Sequence, residues 1–426
     1  MSILRQNKVF HNIFLMSATT VVAQSINIIA QPILTRLISA ETLGIYTFLV
    51  SLANMAIPVA SLKLDMLIVS EDSDDEAQYV TDLSIVIALG VSIIYFLVIF
   101  CAYFIGPNIF NKYGPIIFMV PVMVFTNGVR YLLVSYNNRY CQYKLIGVIG
   151  IVREVSRAVI QVISGLFQWG IIGQILGYAC APVFGIFRQT KDYRGKLKKR
   201  SFLSPKKMKE ILGKGKNQIL YLVPAQFLNN FSSALVIIFI TSLYASETLG
   251  YYSAGVRLLE IPLIFIAANV SKVCYRQISE DVSLRKPTIK TLLKISAGLL
   301  GISLVGFGIL YIIAPIFARF IFGPGYEVAG EYIRCLCLMY AIRLVVTSFA
   351  GLFTIFGKQK IEFYMVLFLV IAAIGIYLCC KFFKFPVTTF LWSISVAYSF
   401  LYSFIWFGYF LLCNSLLNKL LTYIGE

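Results

Sequence analysis

The chain has 426 residues, of which 59% are hydrophobic and only 13% charged, and its mean hydropathy is +0.82. A soluble domain carries about 25% charged residues, so the composition excludes a soluble globular protein and describes an integral membrane protein. A net charge of +18 would suggest nucleic acid in a soluble chain, but here its distribution follows a membrane topology; the single His excludes a zinc or haem centre built on histidine.

Apolar runs of about 18 residues or more are long enough to span a bilayer as helices. Twelve are predicted, near 13–35, 44–68, 80–105, 115–136, 145–167, 170–187, 218–242, 250–271, 292–314, 333–356, 361–380 and 387–412. The first run is long enough to span and nothing resembles a cleavable signal, so it is expected to be retained. The division is six plus six: an N-terminal lobe at 1–187, a basic linker at 188–217 and a C-terminal lobe at 218–426. A surface-lying helix is expected near Lys206–Leu212 in the linker.

Part of the chain occurs twice. Ser39-Ala40-Glu41-Thr42-Leu43-Gly44-Ile45-Tyr46 returns as Ala245-Ser246-Glu247-Thr248-Leu249-Gly250-Tyr251-Tyr252, displaced by 206 positions. Each copy leads into a run with an Ile-Pro pair, Ile57-Pro58 and Ile261-Pro262, so Pro58 and Pro262 are candidate bending points. Two related halves in a membrane chain are a common build of secondary transporters.

Orientation follows from Lys and Arg in the connections. The segment Arg188–Lys216 alone holds twelve, and its side of the membrane totals 24 against 5 opposite. Both termini are therefore expected in the cytoplasm. With six helices between copies, the repeat is parallel. The basic linker has little aromatic interleaving, so anionic membrane lipid suits it and nucleic acid does not.

Polar positions align between the first helices of the two halves: Thr20 with Gln226, Gln24 with Asn230, Asn27 with Ser233. With Gln31, the first set shares one helical face. Such a stripe either glues helices together or lines a watery cavity. Recurrence in both halves favours a lining role for Gln24, Asn27, Gln31, Gln226 and Asn230.

Charges also fall inside predicted spans: Arg130, Arg153, Glu154, Arg157, Arg257, Glu260 and Arg343. An Arg facing lipid at mid-membrane costs about 2.5–3.5 kcal/mol, so these residues face an interior or pair with acids. Glu154–Arg157 and Arg257–Glu260 sit three apart, within reach along one helix. Surplus interior Arg suits an anionic passenger, because guanidinium grips phosphate in a bidentate way. Any ion coupling needs an interior acid, for which Glu154, Glu260 and Asp65 are the candidates; a proton or sodium gradient is the expected energy source, and no bound cofactor is expected.

An enzyme reading rests on Asp72-x-Asp74 within the acidic run Glu71–Glu76, a spacing that can hold a divalent ion. Topology places that run in a short cytoplasmic loop, which reads as solvated. No phosphate loop, catalytic triad or metal-spaced cluster occurs elsewhere, so the chain is not read as an enzyme.

The stretch Gln31-Pro32-Ile33-Leu34-Thr35-Arg36-Leu37 followed by Glu41-x-x-Gly44-x-Tyr46, the segment from Asn138-Arg139-Tyr140 to Arg157, and Leu249 through Pro262 together resemble the Wzx-type polysaccharide-unit flippases. The resemblance covers most of the chain, although Arg36 has Ser242 at its equivalent place. It implies the all-α fold shared with multidrug and toxin extruders, two six-helix lobes in a V that work by alternating access. The implied cargo is an undecaprenyl-diphosphate-linked oligosaccharide, turned to the outer leaflet of a bacterial inner membrane for O-antigen or capsule assembly. Its diphosphate would suit Arg257 and the other interior Arg residues; its glycan would suit Gln24, Asn27 and Asn230. The resemblance also implies a monomer working beside glycosyltransferases and a polymerase. A drug or cation extruder of the same superfamily is the alternative, and it would favour interior carboxylates.

Overall fold

Inside a bilayer no water meets the backbone, so an apolar run satisfies its own N–H and C=O groups by forming a helix. A computed structural model describes residues 2–106, 108–191, 204–284 and 288–424. Among these the regular structure is helical throughout, and no strand occurs. Ten helices are long and apolar enough to cross a membrane among the described residues. The protein is a multi-pass membrane protein.

The chain forms two compact units, Met1–Ser242 and Leu243–Glu426. The first contains α1 (Ser2–Leu37), α2 (Ala40–Ala56), α3 (Asp65–Ser70), α4 (Asp74–Phe104), α5 (Asn108–Asn111), α6 (Val120–Arg139), α7 (Tyr143–Leu166), α8 (Gly170–Cys180), α9 (Ile186–Gln189) and α10 (Pro205–Lys214); α11 (Val223–Leu243) closes it. The second contains α12 (Ser246–Pro262), α13 (Ala268–Ser283), α14 (Ile289–Phe322), α15 (Glu327–Thr347), α16 (Leu352–Ile355), α17 (Gln359–Phe383) and α18 (Val387–Ile424).

Helices α1 and α7 fall on the predicted spans 13–35 and 145–167. Helix α7 is not among the ten because Arg153, Glu154 and Arg157 lie in its middle, and the described part of α1 carries the polar stripe Gln24, Asn27 and Gln31. These two helices pack on each other, so each supplies the partners that lipid cannot. In the second unit α15 packs against α14, α18 and α12, and its Ile333 and Leu336 are almost fully buried. Outward residues such as Ile105, Phe382 and Phe400 are 79–86% exposed, as expected of surface that meets acyl chains.

The two repeat copies begin alike. Ser39 precedes α2 at φ −68°, ψ 154°, and Ala245 precedes α12 at φ −69°, ψ 155°. Ser39 Oγ accepts the Thr42 N–H at 3.2 Å, a cap that Ala245 cannot provide. They end differently. After α2, Pro58 sits in a 3₁₀ turn, Ile57–Val59, and Leu62 and Lys63 take positive φ of 51° and 60°. The helix stops there, which corrects the continuous span expected over 44–68. After Pro262 a π-helical stretch, Leu263–Ala267, carries the chain straight into α13.

The expected surface helix of the linker is α10, with Ile211 buried. Arg194, Lys196, Lys198, Lys199 and Arg200 of the linker lie outside the described residues. Asp72, Asp74 and Asp75 of the acidic run are exposed, as expected of a solvated loop, but the two ends of the run are tied down. Lys214 Nζ lies 3.3 Å from Glu71 Oε2 and 3.4 Å from Glu76 Oε2, and the Glu71 side chain is only 9% exposed. Tyr79 Oη donates to the Ser204 carbonyl at 3.1 Å, and Lys207 Nζ stands 4.7 Å from the Tyr79 ring centre. Arg139 fastens the same turn from α6, bonding Asp74 Oδ1 at 3.3 Å and the carbonyls of Ile68 and Glu71. Burial pushes the Glu71 carboxyl above its ordinary value, and the hydrogen bond to Glu71 raises the Lys214 ammonium.

Candidate functional site

The polar stripe of α1 meets the charged stretch of α7 inside the N-terminal unit. Glu154 is 2% exposed and lies between two guanidinium groups, Arg153 on Oε1 and Arg157 on Oε2, the second at 2.7 Å. Asn27 on α1 completes the cluster: its Nδ2 donates to Glu154 Oε2 at 2.7 Å, and its Oδ1 accepts from Arg157 Nη2. Spacing explains the geometry. Residues 154 and 157 share a face of α7 one turn apart, while Asn27 has both a donor and an acceptor to serve a carboxylate and a guanidinium. Two arginines meet one carboxylate, so the cluster retains net positive charge.

Arg130, from α6, adds to it. Its guanidinium lies 4.1 Å from the Tyr131 ring centre and has no ion pair among the described residues. Arg130, Arg153 and Gln24 line one cavity, together with Thr20 and Gln189. Gln31 is buried, at 4% exposure, and does not line that cavity. Asp65 begins α3 outside the candidate spans and accepts from Ser61 Oγ at 2.7 Å.

The repeated polar positions on α11 are used differently. Gln226 Nε2 donates to Asn230 Oδ1 at 3.3 Å along the same helix. Ser233, at the place equivalent to Asn27, bonds back to the Asn229 carbonyl at 3.3 Å.

The remaining interior charges meet in the C-terminal unit. Arg343 on α15 and Arg257 on α12 both stand within electrostatic reach of Glu260. Tyr402, Tyr340 and Tyr252 surround Arg343, and its Cζ lies 5.4 Å from the Tyr340 ring centre. Glu260 makes no contact ion pair with Arg343 among the described residues. Aromatic faces and phenolic oxygens take the place that a carboxylate holds around Arg153 and Arg157.

The sequence reading did not single out Gln189. It is 2% exposed, and neither amide atom has a hydrogen-bond partner among the described residues. Its position beside Arg188, at the start of the basic linker, disguised it as connecting chain.

A family model described as polysaccharide biosynthesis protein matches residues 9–281. No curated protein matches the sequence. Among solved structures, the chain is similar to the lipid II flippase MurJ in an inward closed conformation, with 13% identity, 97% of this chain and 93% of that one covered, and a TM-score of 0.74. An inward-facing multidrug resistance MATE family transporter of the MOP superfamily gives 13% identity, coverage of 93% and 96%, and a TM-score of 0.67. A MOP superfamily transporter from Pyrococcus furiosus, described as having a binding pocket of reversed polarity, gives 12% identity, coverage of 96% and 94%, and a TM-score of 0.60. At these identities the likeness establishes a shared fold.

Proposed function

Because this chain belongs to the polysaccharide biosynthesis protein family, we propose that it is a flippase for a lipid-linked oligosaccharide. The cargo would be an undecaprenyl-diphosphate-linked repeat unit, moved by alternating access to the outer leaflet of a bacterial inner membrane for O-antigen or capsule assembly. The observation that carries this reading is the surplus of guanidinium inside the fold: Arg153 and Arg157 share the single carboxylate of Glu154, and Arg130 has no acid partner among the described residues. A positive interior attracts a diphosphate and repels a cationic drug. The fold it shares with a lipid II flippase fits the same reading.

Both termini would lie in the cytoplasm, on the side of the 24 cationic residues. If a proton or sodium gradient drives turnover, Glu260 is the acid placed to sense it. Glu154 is held by two arginines and an asparagine, and Asp65 lies outside the candidate spans. The chain would act as a monomer, receiving its cargo from glycosyltransferases and passing it to a polymerase.

The test is recovery of surface polysaccharide in a flippase-deleted strain supplied with this chain's own repeat unit. The parent is expected to restore polysaccharide, and Arg257→Ala and Arg343→Gln, at matched membrane levels, to fail. If the parent restores nothing, the flippase reading is wrong and drug export becomes the next assay.

A further inference from the structure

The stretch between α2 and α4 is held in an uncommon conformation by contacts from elsewhere in the N-terminal unit. Leu62 and Lys63 take φ of 51° and 60° in succession, the left-handed region in which a Cβ crowds the backbone. Pro58 does not require this, because it sits earlier, in the 3₁₀ turn Ile57–Val59. Such residues persist where their surroundings over-determine them, and here the surroundings are specific. Ser61 Oγ donates to Asp65 Oδ1 at 2.7 Å, across the break. Arg139 of α6 donates to the carbonyls of Ile68 and Glu71 at the end of α3, and to Asp74 Oδ1 at 3.3 Å. From α10, Lys214 Nζ reaches Glu71 Oε2 at 3.3 Å. Gly215, just beyond α10, lies so near that an added Cβ would stand 2.6 Å from Leu64 Cδ2 and 3.4 Å from Leu67 Cδ1.

Local preference points the other way. Ala60, Leu62, Lys63, Leu64 and Met66 are all good helix formers. A helix running unbroken from Ala40 to Ser70 would match in length its neighbour α4, which has 31 residues. The second copy of the repeat takes that course: with Ile261-Pro262 inside it, the chain is helical without a break from Ser246 to Ser283. The duplicated element thus occurs in two forms, and the broken one is the form that bears left-handed residues.

We infer that Leu62–Lys63 is a conformational switch: α2 exchanges between the broken form and a continuous helix through Ser70, and Arg139 and α10 are the latch of the broken form. Two packings of one segment that differ by a few contacts make such a two-state element. Because α10 lies in the linker between the two halves of the sequence, docking of the linker and the shape of α2 are coupled. The switch is independent of the cargo assigned above, since it can be read without transport.

The test uses the full-length chain purified in detergent and carrying a two-histidine clamp, Leu62→His with Met66→His. Four residues apart on a helix, the two imidazoles share a face and bind one Ni²⁺; the left-handed residues of the broken form remove that register. Apparent affinity is reduced by the fraction of chains in the competent form, so a Ni²⁺ titration reads even a minor population of continuous helix. On the clamp background, Arg139→Gln should tighten Ni²⁺ binding about tenfold or more, the scale of hydrogen bonds lost from a charged group. Lys214→Gln should tighten it by less, because that pair is exposed. Lys63→Gly should weaken it about fivefold, since glycine suits the left-handed residue and disfavours the helix. A control clamp in α17, Lys360→His with Tyr364→His, should bind alike in every background. Affinity unchanged by Arg139→Gln, or lowered as in a segment merely loosened, overturns the inference. If Arg139→Gln folds poorly, Lys214→Gln and Lys63→Gly must still move the affinity in opposite directions, and failure to do so overturns it as well.

Discussion

In the N-terminal unit Arg153 and Arg157 close on Glu154 at contact distance and Asn27 stitches the group to α1. In the C-terminal unit Arg343 stands among Tyr340, Tyr402 and Tyr252, with Glu260 in electrostatic reach but not in contact with it. The first arrangement resembles structural cement, with each partner costly to remove. The second surrounds the cation with rings and phenols and leaves the carboxylate without a contact ion pair among the described residues. One fold thus places an ion-paired charge cluster in one unit and an aromatic-caged arginine in the other.

The largest test of that contrast is Glu154→Gln against Glu260→Gln. Removing Glu154 strands two buried guanidinium groups, and breaking such a buried pair costs about 3–5 kcal/mol. Glu260→Gln should cost about 1 kcal/mol, the centre of the range for ordinary substitutions. Thermal unfolding of the two variants in one detergent reads both, and equal losses would break the distinction.

A smaller effect separates the repeat-equivalent positions Asn27 and Ser233. Asn27→Leu removes hydrogen bonds to two charged groups, so about 1.5–3 kcal/mol should be lost. Ser233→Ala removes only a bond to its own helix and should stay within about 0.5 kcal/mol. Denaturant titration of the pair, read by intrinsic fluorescence, would sharpen the comparison or show that both polar stripes serve the same end.

The smallest effect concerns the clasp between α10 and the acidic turn. Lys214 titrates above its ordinary 10.5, so its contribution is complete below the unfolded value and disappears as pH rises through the raised folded one. Glu71 titrates above its ordinary 4.5 and its neighbour Glu76 below it, so their contributions on the acid side oppose each other and no acid step is expected. Beyond its intrinsic pH dependence, hydrogen exchange along 205–214 should accordingly speed up in one upper step above 10.5, by a modest factor because Lys214 is exposed. Lys214→Gln should abolish the upper step, and an unchanged profile in that variant would mean that Ile211 alone holds the helix.

Much of the fold was legible from local pattern. Apolar run length located most spans, because a bilayer imposes a minimum helix length. The duplicated segment located two helix starts with nearly the same backbone angles. Pattern failed where neighbours decide. Pro58 and Pro262 look alike in sequence, yet one ends a helix and the other sits before a π turn. Glu71 looks as solvated as the exposed Asp72–Asp75 beside it until Lys214 of α10 is seen against it.

The candidate site divides the same way. The i, i+3 spacing of Glu154 and Arg157 made their contact readable in advance, and interior Arg was legible from the cost of exposing it to lipid. That Asn27 would be their third partner was not legible, since 127 positions separate it from Glu154. Gln189 left no local sign, because a polar residue beside a basic linker looks ordinary until the helices bury it.

By itself, then, the sequence determined that this protein spans a membrane, repeats itself and keeps more positive than negative charge inside its spans. Those properties depend on composition and short spacing, which act along the chain. Only the tertiary structure decided which charges meet, which amide is orphaned and where a cavity remains. Those outcomes depend on how α1, α6, α7 and α9 close against one another, and burial, pairing and empty volume exist only once distant segments are packed together.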